Sequence, residues 1–244
     1  MHQLWFTAFL NSFLARPVSA LLNVLHVQSV DPAQPINDPI AMQILVVSAL
    51  IVFFGIVRMR LSAEEPGGLQ HVMEMAHEYV DHQSHEIIGH GSKAFVPYLV
   101  TLGLFILICN LIGVIPGFAS PTQFASVPLG CALMTFVYYH AHGVKKQGII
   151  RYIKHFSGPM PWLAWLIFPI EIISHTARIM SLTIRLYANM FAGEMVTLAF
   201  FSLVPLLFPI VFLGLHIFVS LLQAFIFMLL AMIYLGGAVG EEEH

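Results

Sequence analysis

The chain has 244 residues, of which 58% are hydrophobic and only 9% are charged, and its formal net charge is −3. Soluble domains carry about 25% charged residues, so this composition excludes an ordinary soluble domain and predicts a polytopic membrane protein in contact with lipid. Cys109 and Cys131 both lie in apolar runs, which favours packing over a disulfide or a metal pair. No cofactor, metal or nucleic-acid partner is expected.

The predicted elements begin with residues 1–39, an N-terminal segment at or outside the membrane interface. Its end, DPAQPINDP, is predicted to be a loop because proline breaks helices. Residues 40–168 should hold three crossings, at 40–57, about 95–115 and about 125–142. Between the first two, the apolar residues of about 66–90 repeat at helical spacing beside a polar side, which predicts an amphipathic helix on the cytoplasmic surface.

Two unusually long segments follow, in a predicted hairpin of residues 169–238 ahead of a tail of residues 239–244. Residues 170–204, which Pro169 and Pro205 bracket, contain no proline, and one helix of that length would measure about 52 Å. The hydrocarbon core is only about 30 Å thick, so such a helix must tilt strongly. The prediction is a single all-α integral membrane domain over residues 1–244, with five crossings and one surface helix.

The basic residues predict the orientation. If there are five crossings, only Arg16 falls on one side of the membrane, and Arg178 and Arg185 lie inside the fifth segment. The remaining basic residues all fall on the other side, which the positive-inside rule assigns to the cytoplasm: Arg58, Arg60, Lys93, Lys145, Lys146, Arg151 and Lys154. The N-terminus is therefore expected outside and the C-terminus inside.

A polar stripe follows the first long segment, within the stretch that includes SLTIRLYANMFAGEM. At about 100° per residue, one face with Arg185 at its centre carries several polar residues: Glu171, Ser174, Arg178, Ser181 and Asn189. Glu194 lies about 180° from Arg185 and nearer the outer end. Ionisable groups inside a membrane cost about 2.5–3.5 kcal/mol each on insertion scales, so they pair, line water or mark an ion pathway.

The second long segment carries a stripe of its own. His216, Gln223 and Tyr234 share one face, and His216 should meet Glu194 because both belong to the outer halves of antiparallel helices. Two plainer interpretations stay open: Arg185 could pair with a carboxylate to join helices, and Arg178 could extend to the lipid headgroups. The functional hypothesis is a proton path in two interrupted halves, with the permanently charged Arg185 between them.

These residues resemble a known family. The stretches SLTIRLYANMFAGEM, LLQAFIFMLLAMIYL and ICNLIGVIPGFASPT are similar to subunit a of the bacterial F-type ATP synthase, from about residue 40 onward. The resemblance implies a multi-pass stator subunit of the bacterial inner membrane, in contact with b subunits of the peripheral stalk and with a rotating c ring. Protons would pass to and from the carboxylate of each c subunit.

The resemblance also implies roles for single residues. Arg185 is the essential cation facing the ring, with Asn189 as its polar neighbour. The outer half-channel contains Glu194, His216, Gln223 and Asn110, and the cytoplasmic half-channel contains Glu171, Ser174 and Ser181. Tyr234 matches a polar position near the end of the last helix. One departure is Gly113, which stands where some members carry an acid, so the entry to the outer half-channel could use other groups.

Three further interpretations limit the possible functions of the chain. No glycine-rich nucleotide loop occurs, so the chain is expected to be a non-catalytic subunit of an enzyme complex. A sodium-translocating version of the same subunit stays open, although the pair of Glu194 and His216 favours protons. An unrelated secondary transporter with a pocket at Arg185 would show an inverted repeat, and none is seen in the sequence.

Overall fold

The computed structural model describes residues 4–24, 35–62, 67–89, 91–115, 117–149, 152, 164–203 and 208–239. Within these ranges all regular secondary structure is helical, so the all-α prediction is confirmed. The α-helices are α1 (Trp5–Val24), α2 (Asp38–Met59), α3 (Gly68–Ile88), α4 (Val96–Leu111), α5 (Ser126–Gln147), α6 (Ala164–Leu203) and α7 (Phe208–Val239). Short 3₁₀ turns lie at Ser92–Ala94, Ile112–Val114 and Pro121–Gln123.

Three of the described helices are long and apolar enough to cross a membrane. They are Asp38–Met59, Val96–Val114 and Ile210–Val239. These helices make the chain an integral membrane protein, as predicted.

Glycine ends two of the helices. Gly89 after α3 has a φ of 82° and Gly148 after α5 has a φ of 81°. That left-handed conformation is strained for residues with a Cβ atom, so glycine is the usual residue just past a helix. The chain can therefore turn directly from α3 into the short connection before α4.

Helix α6 is longer than the sequence predicts. It has 40 residues and contains Pro169, whereas the prediction starts the helix after that proline. The helix can contain this proline because Pro169 lies close to the helix start. It removes one backbone hydrogen bond near an end that already holds four unpaired N–H groups. With 40 residues from Ala164 to Leu203, the helix measures about 60 Å.

Helix α7 lies at the centre of the fold, where it packs against α3, α4, α5 and α6. The core between these helices contains large apolar side chains that are almost completely buried: Leu99, Leu186, Met190, Met232 and Leu235. Helix α2 joins this body through a smaller and separate cluster of Val46, Leu50 and Cys109. The arrangement leaves one face of α6 uncovered, including Ile184, Phe191 and Met195.

The amphipathic helix α3 docks on α7 at a glycine. A Cβ atom at Gly236 would lie 2.9 Å from the backbone oxygen of Ile87, whereas one at the adjacent Gly237 would meet nothing within 4 Å. Burial of Val80 and Ile88 on the same side of α3 completes the contact. The close approach of the two backbones therefore depends on Gly236.

We expect Gly236→Ala to destabilise the protein by about 1–3 kcal/mol, because overpacking forces the backbones apart. Gly237→Ala is the matched control, since it makes the same change in helix propensity without a collision. Thermal denaturation of the purified protein in detergent measures both variants. Equal melting temperatures for the two variants would show that the α3–α7 contact tolerates an added methyl group.

Candidate functional site

The polar residues of α6 and α7 face each other along two antiparallel helices. The Arg178 guanidinium lies 5.1 Å from the ring centre of Tyr234, and Asn189 Nδ2 donates to Gln223 Oε1 at 2.8 Å. Farther along α6, Gly193 packs against the ring of His216. The partners on α7 appear in reverse order, so Arg178 and Asn189 of the α6 stripe lie in one interface with Tyr234 and Gln223 of α7.

Arg185 lies at the edge of this interface. Its Nη2 atom donates to Ser181 Oγ at 3.5 Å, one turn earlier on the same helix. Leu182 and Leu186 on either side are buried, whereas Ile184 belongs to the uncovered face. The ion pairs among the described residues involve other side chains, so the Arg185 charge has no carboxylate partner in the described part of the chain.

A second polar group lies where α4 meets the turn before α5. Asn110 is completely buried, and Thr122 Oγ1 donates to its Oδ1 atom at 2.6 Å. Ser120 Oγ donates to the Cys109 backbone oxygen at 2.8 Å. Sequence reasoning singled out Asn110 but missed Ser120 and Thr122, because their partners come from a different helix.

Gly113 explains how the turn approaches so closely. A Cβ atom there would lie 2.8 Å from Ser120 Cβ, a distance that a real side chain does not tolerate. An acidic residue would not fit at this position without moving the turn. The hydroxyl groups of Ser120 and Thr122 thus occupy the region where the resemblance suggests an acid.

His216 connects this group to the α6–α7 interface. Its ring lies beside the Asn110 backbone, and both His216 Nε2 and Asn110 Nδ2 are buried without a hydrogen-bond partner among the described residues. Buried polar atoms are normally hydrogen-bonded. Two exceptions at one helix junction mark a place that can accept a water molecule or a proton.

A small cavity opens next to His216. It has a volume of about 160 Å³ and is bordered by polar Asn189, Gly193, Thr197 and His216 together with apolar side chains. The half-buried Glu194 does not line it, and no ion pair joins Glu194 to His216 in the described structure. His216 instead lies against Gly193, the residue before Glu194. The predicted direct contact between His216 and Glu194 is therefore not formed.

A third polar group lies toward the start of α6. Glu171 Oε1 is 3.2 Å from His175 Nε2, and His175 Nδ1 is 2.8 Å from the Tyr139 hydroxyl of α5. Ser174 is half-buried and Ser181 is exposed on the same side of α6. The sequence prediction included Glu171, Ser174 and Ser181 in the cytoplasmic half-channel, and it interpreted His175 only as a packing or hydrogen-bonded residue. The spacing of four residues between Glu171 and His175 was the available signal.

His140 of α5 and Tyr152, which follows the end of that helix, add further rings to this third group. Tyr152 OH lies 2.7 Å from His140 Nδ1, and burial raises the pKa of the Tyr152 phenol to about 12. Tyr152 therefore keeps its proton at neutral pH, and its hydroxyl can donate a hydrogen bond to His140. Arg178 packs on Tyr234, so its charge points into this group of rings and toward α7.

Neither the two cysteines nor the described histidines of α3 form a metal site. Cys109 and Cys131 are buried free thiols. Among the described residues, no group of three or more His, Cys, Asp or Glu side chains has the arrangement of a metal site. His90, one half of a histidine pair in the sequence HEIIGH, lies outside the described residues.

Comparison with known proteins identifies close relatives. A family model described as ATP synthase A chain matches residues 40–236. A protein named ATP synthase subunit a from Koribacter versatilis is 61% identical over 240 residues, which cover 98% of each chain. A protein of the same name from Solibacter usitatus is 50% identical over 232 residues, covering 95% of this chain and 99% of the relative. One from Geotalea uraniireducens is 42% identical over 224 residues, covering 92% and 94% respectively.

Proposed function

Because the chain belongs to the ATP synthase A chain family, a membrane component of the F-type ATP synthase, we propose that it conducts protons past a rotating ring of c subunits. The observation that carries this proposal is the position of Arg185. Its charge lies at the border of the uncovered face of α6, without a carboxylate partner in the described structure. A carboxylate supplied by another subunit would complete the pair.

Two separate polar routes would reach this position. The outer route uses Asn110, His216, Gln223 and Asn189, with Glu194 near its entrance. The cytoplasmic route uses Glu171, Ser174 and Ser181. Arg185 does not release its proton at physiological pH, so a proton cannot pass directly from one route to the other. It crosses only while bound to a c-subunit carboxylate, and ring rotation then couples proton flow to ATP synthesis.

The uncovered face of α6 supports a ring as the partner. Its exposed residues next to Arg185 are large and apolar, including Ile184, Phe191 and Met195. Such a face suits lipid or another membrane helix. Helix α2, which packs on α4, exposes Ile51 and Val52, and this second apolar surface would receive membrane helices of the peripheral-stalk b subunits.

The proposed arrangement in the membrane has five crossings: α2, α4, α5, α6 and α7. Helix α6 is about twice as long as the hydrocarbon core is thick, so it tilts strongly and pairs with α7 as a hairpin. Helix α3 lies on the cytoplasmic surface of the bacterial inner membrane. The N-terminus is outside and the C-terminus is cytoplasmic, in agreement with the distribution of basic residues.

The choice of ion follows from the groups at the outer route. His216 offers a ring nitrogen that can take up a proton, whereas hard metal cations prefer several oxygen ligands. The buried Nε2 atom of His216 and its position beside Asn110 therefore favour protons over sodium ions.

The test is ATP-driven pumping by the intact complex in sealed vesicles. We expect acidification of the interior at the same rate with and without sodium, even at high pH where protons are scarce. The fluorescence of a pH-sensitive dye measures acidification, and radioactive sodium uptake is measured in parallel. Sodium uptake that drives no acidification would establish the sodium-translocating alternative instead.

A further inference from the structure

His175 and Tyr139 have no role in the two routes described above, although His175 contacts Glu171 of the cytoplasmic route. His175 is 9% exposed and lies between α5 and α6. Its two ring nitrogens face different partners: Nδ1 lies 2.8 Å from the Tyr139 hydroxyl, and Nε2 lies 3.2 Å from a Glu171 oxygen. The buried imidazole is thus connected at one end to a residue of the proposed cytoplasmic route.

The partners define where the hydrogen atoms lie. An ionised carboxylate only accepts hydrogen bonds, so Nε2 carries a hydrogen atom while Glu171 is ionised. In the neutral ring Nδ1 is then the acceptor, and the Tyr139 hydroxyl donates to it. If the ring takes up a second proton, Nδ1 becomes a donor and the same hydroxyl oxygen accepts from it. The cluster therefore satisfies His175 in both of its charge states.

Charges of both signs lie near His175. Glu171 favours a protonated ring, whereas Arg178 on the same helix opposes it. The His140 ring centre lies 4.8 Å from that of His175. The other described titratable side chains around His175 are phenols: Tyr139 and Tyr152 on the α5 side and Tyr234 on α7. His175 therefore lies between a carboxylate and a cation, which act in opposite directions on the protonation of an imidazole.

We propose that His175 holds and releases protons together with Glu171, as a second proton-binding group of the cytoplasmic route. A proton from the c ring binds at Nδ1, and the Tyr139 hydroxyl turns from donor to acceptor. The resulting imidazolium faces the Glu171 carboxylate. Release of one proton from this pair to the cytoplasm returns the ring to its neutral form, so one proton enters and one leaves. This inference rests on the proposed function.

The experiment uses the intact complex in vesicles and records ATP-driven proton pumping as a function of pH on the ATP side. His175→Gln keeps a side-chain donor and acceptor but does not titrate. We expect it to remove one ionisation from the pH profile and to slow pumping on the order of tenfold, less than the roughly 10²–10⁴-fold effect of a single acid–base group, because Glu171 remains in the route. His82→Gln is the matched control, because His82 and Glu86 form the same i, i+4 pair on α3 with 69% and 58% of their side chains exposed. It should leave the rate and the profile unchanged.

A wild-type rate and pH profile in His175→Gln would overturn the inference and show that the ring only packs. If this variant does not assemble, Tyr139→Phe decides, since it fills the same space without a hydroxyl. A shifted profile is expected for it, and an unshifted one overturns the inference. If the wild-type complex does not pump protons, the proposed function itself fails, whereas a normal wild type with an indifferent His175→Gln removes only this inference.

Discussion

Arg185→Ala is expected to abolish ATP synthesis driven by a proton gradient while leaving the complex assembled. Its one described hydrogen bond is the long contact with Ser181 at 3.5 Å, so alanine leaves no buried partner without a hydrogen bond. The lost function is electrostatic, because no other cation replaces the barrier between the two routes. ATP synthesis is measured with purified complexes in energised vesicles. Native gels show the subunit composition and so test whether the complex is assembled.

Arg178→Ala is the appropriate comparison for this variant. Arg178 lies two turns earlier on α6, but it packs over the Tyr234 ring instead of bordering the uncovered face. We expect a partial loss of synthesis from weaker packing between α6 and α7, and no proton leak. Vesicles with Arg185→Ala should in addition leak protons. Coupled synthesis at the wild-type rate by Arg185→Ala would exclude the proposed mechanism.

The second large effect concerns Glu194 and His216. We expect alanine at either position to reduce proton pumping by about 100-fold, the lower end of the range for positioned acid–base groups. Exchanging the two residues should retain more activity than either alanine variant, since the same two titratable groups then remain near the cavity. Because His216 lies against Gly193 and has no ion pair with Glu194, a water molecule would link the pair.

Thr197→Val controls for changes in the shape of the cavity. Thr197 borders the same cavity, but its hydroxyl donates to the Gly193 backbone oxygen of its own helix. Valine has nearly the same shape and removes no titratable group, so pumping should stay near the wild-type rate. An exchange variant as inactive as both alanine variants would show that the positions of Glu194 and His216 are not equivalent.

Much of the fold was predictable because it depends on local patterns. Long apolar runs predict α2, α4 and α7, and apolar residues at helical spacing beside a side rich in carboxylates predict α3. The predicted start of α6 was wrong. Pro169 is a strong local signal against a helix, but the other residues of this 40-residue helix outweigh it. Packing of α6 against α5 and α7 stabilises that helix, and such contacts are not visible in a local pattern.

In the candidate site, too, local spacing was predictable and contacts between helices were not. The spacing of polar residues on α6 and on α7 was enough to place Arg185, Asn189 and Gln223 on their helix faces. The pairing of Asn189 with Gln223 was not predicted, because it depends on the register between two helices. The partner of His175 on α5 was not predicted for a related reason: Tyr139 is 36 residues away in the sequence.

The central position of α7 has a consequence for biosynthesis. Helix α7 follows α3, α4, α5 and α6 in the chain, yet it packs against all four. While the ribosome is still making α6, the Asn189 partner Gln223 and the His216 ring beside Asn110 do not yet exist. The proposed outer route would be complete only when α7 enters the membrane and brings His216 and Gln223 into place. A nascent chain inserted up to α6 would therefore hold an unfinished route.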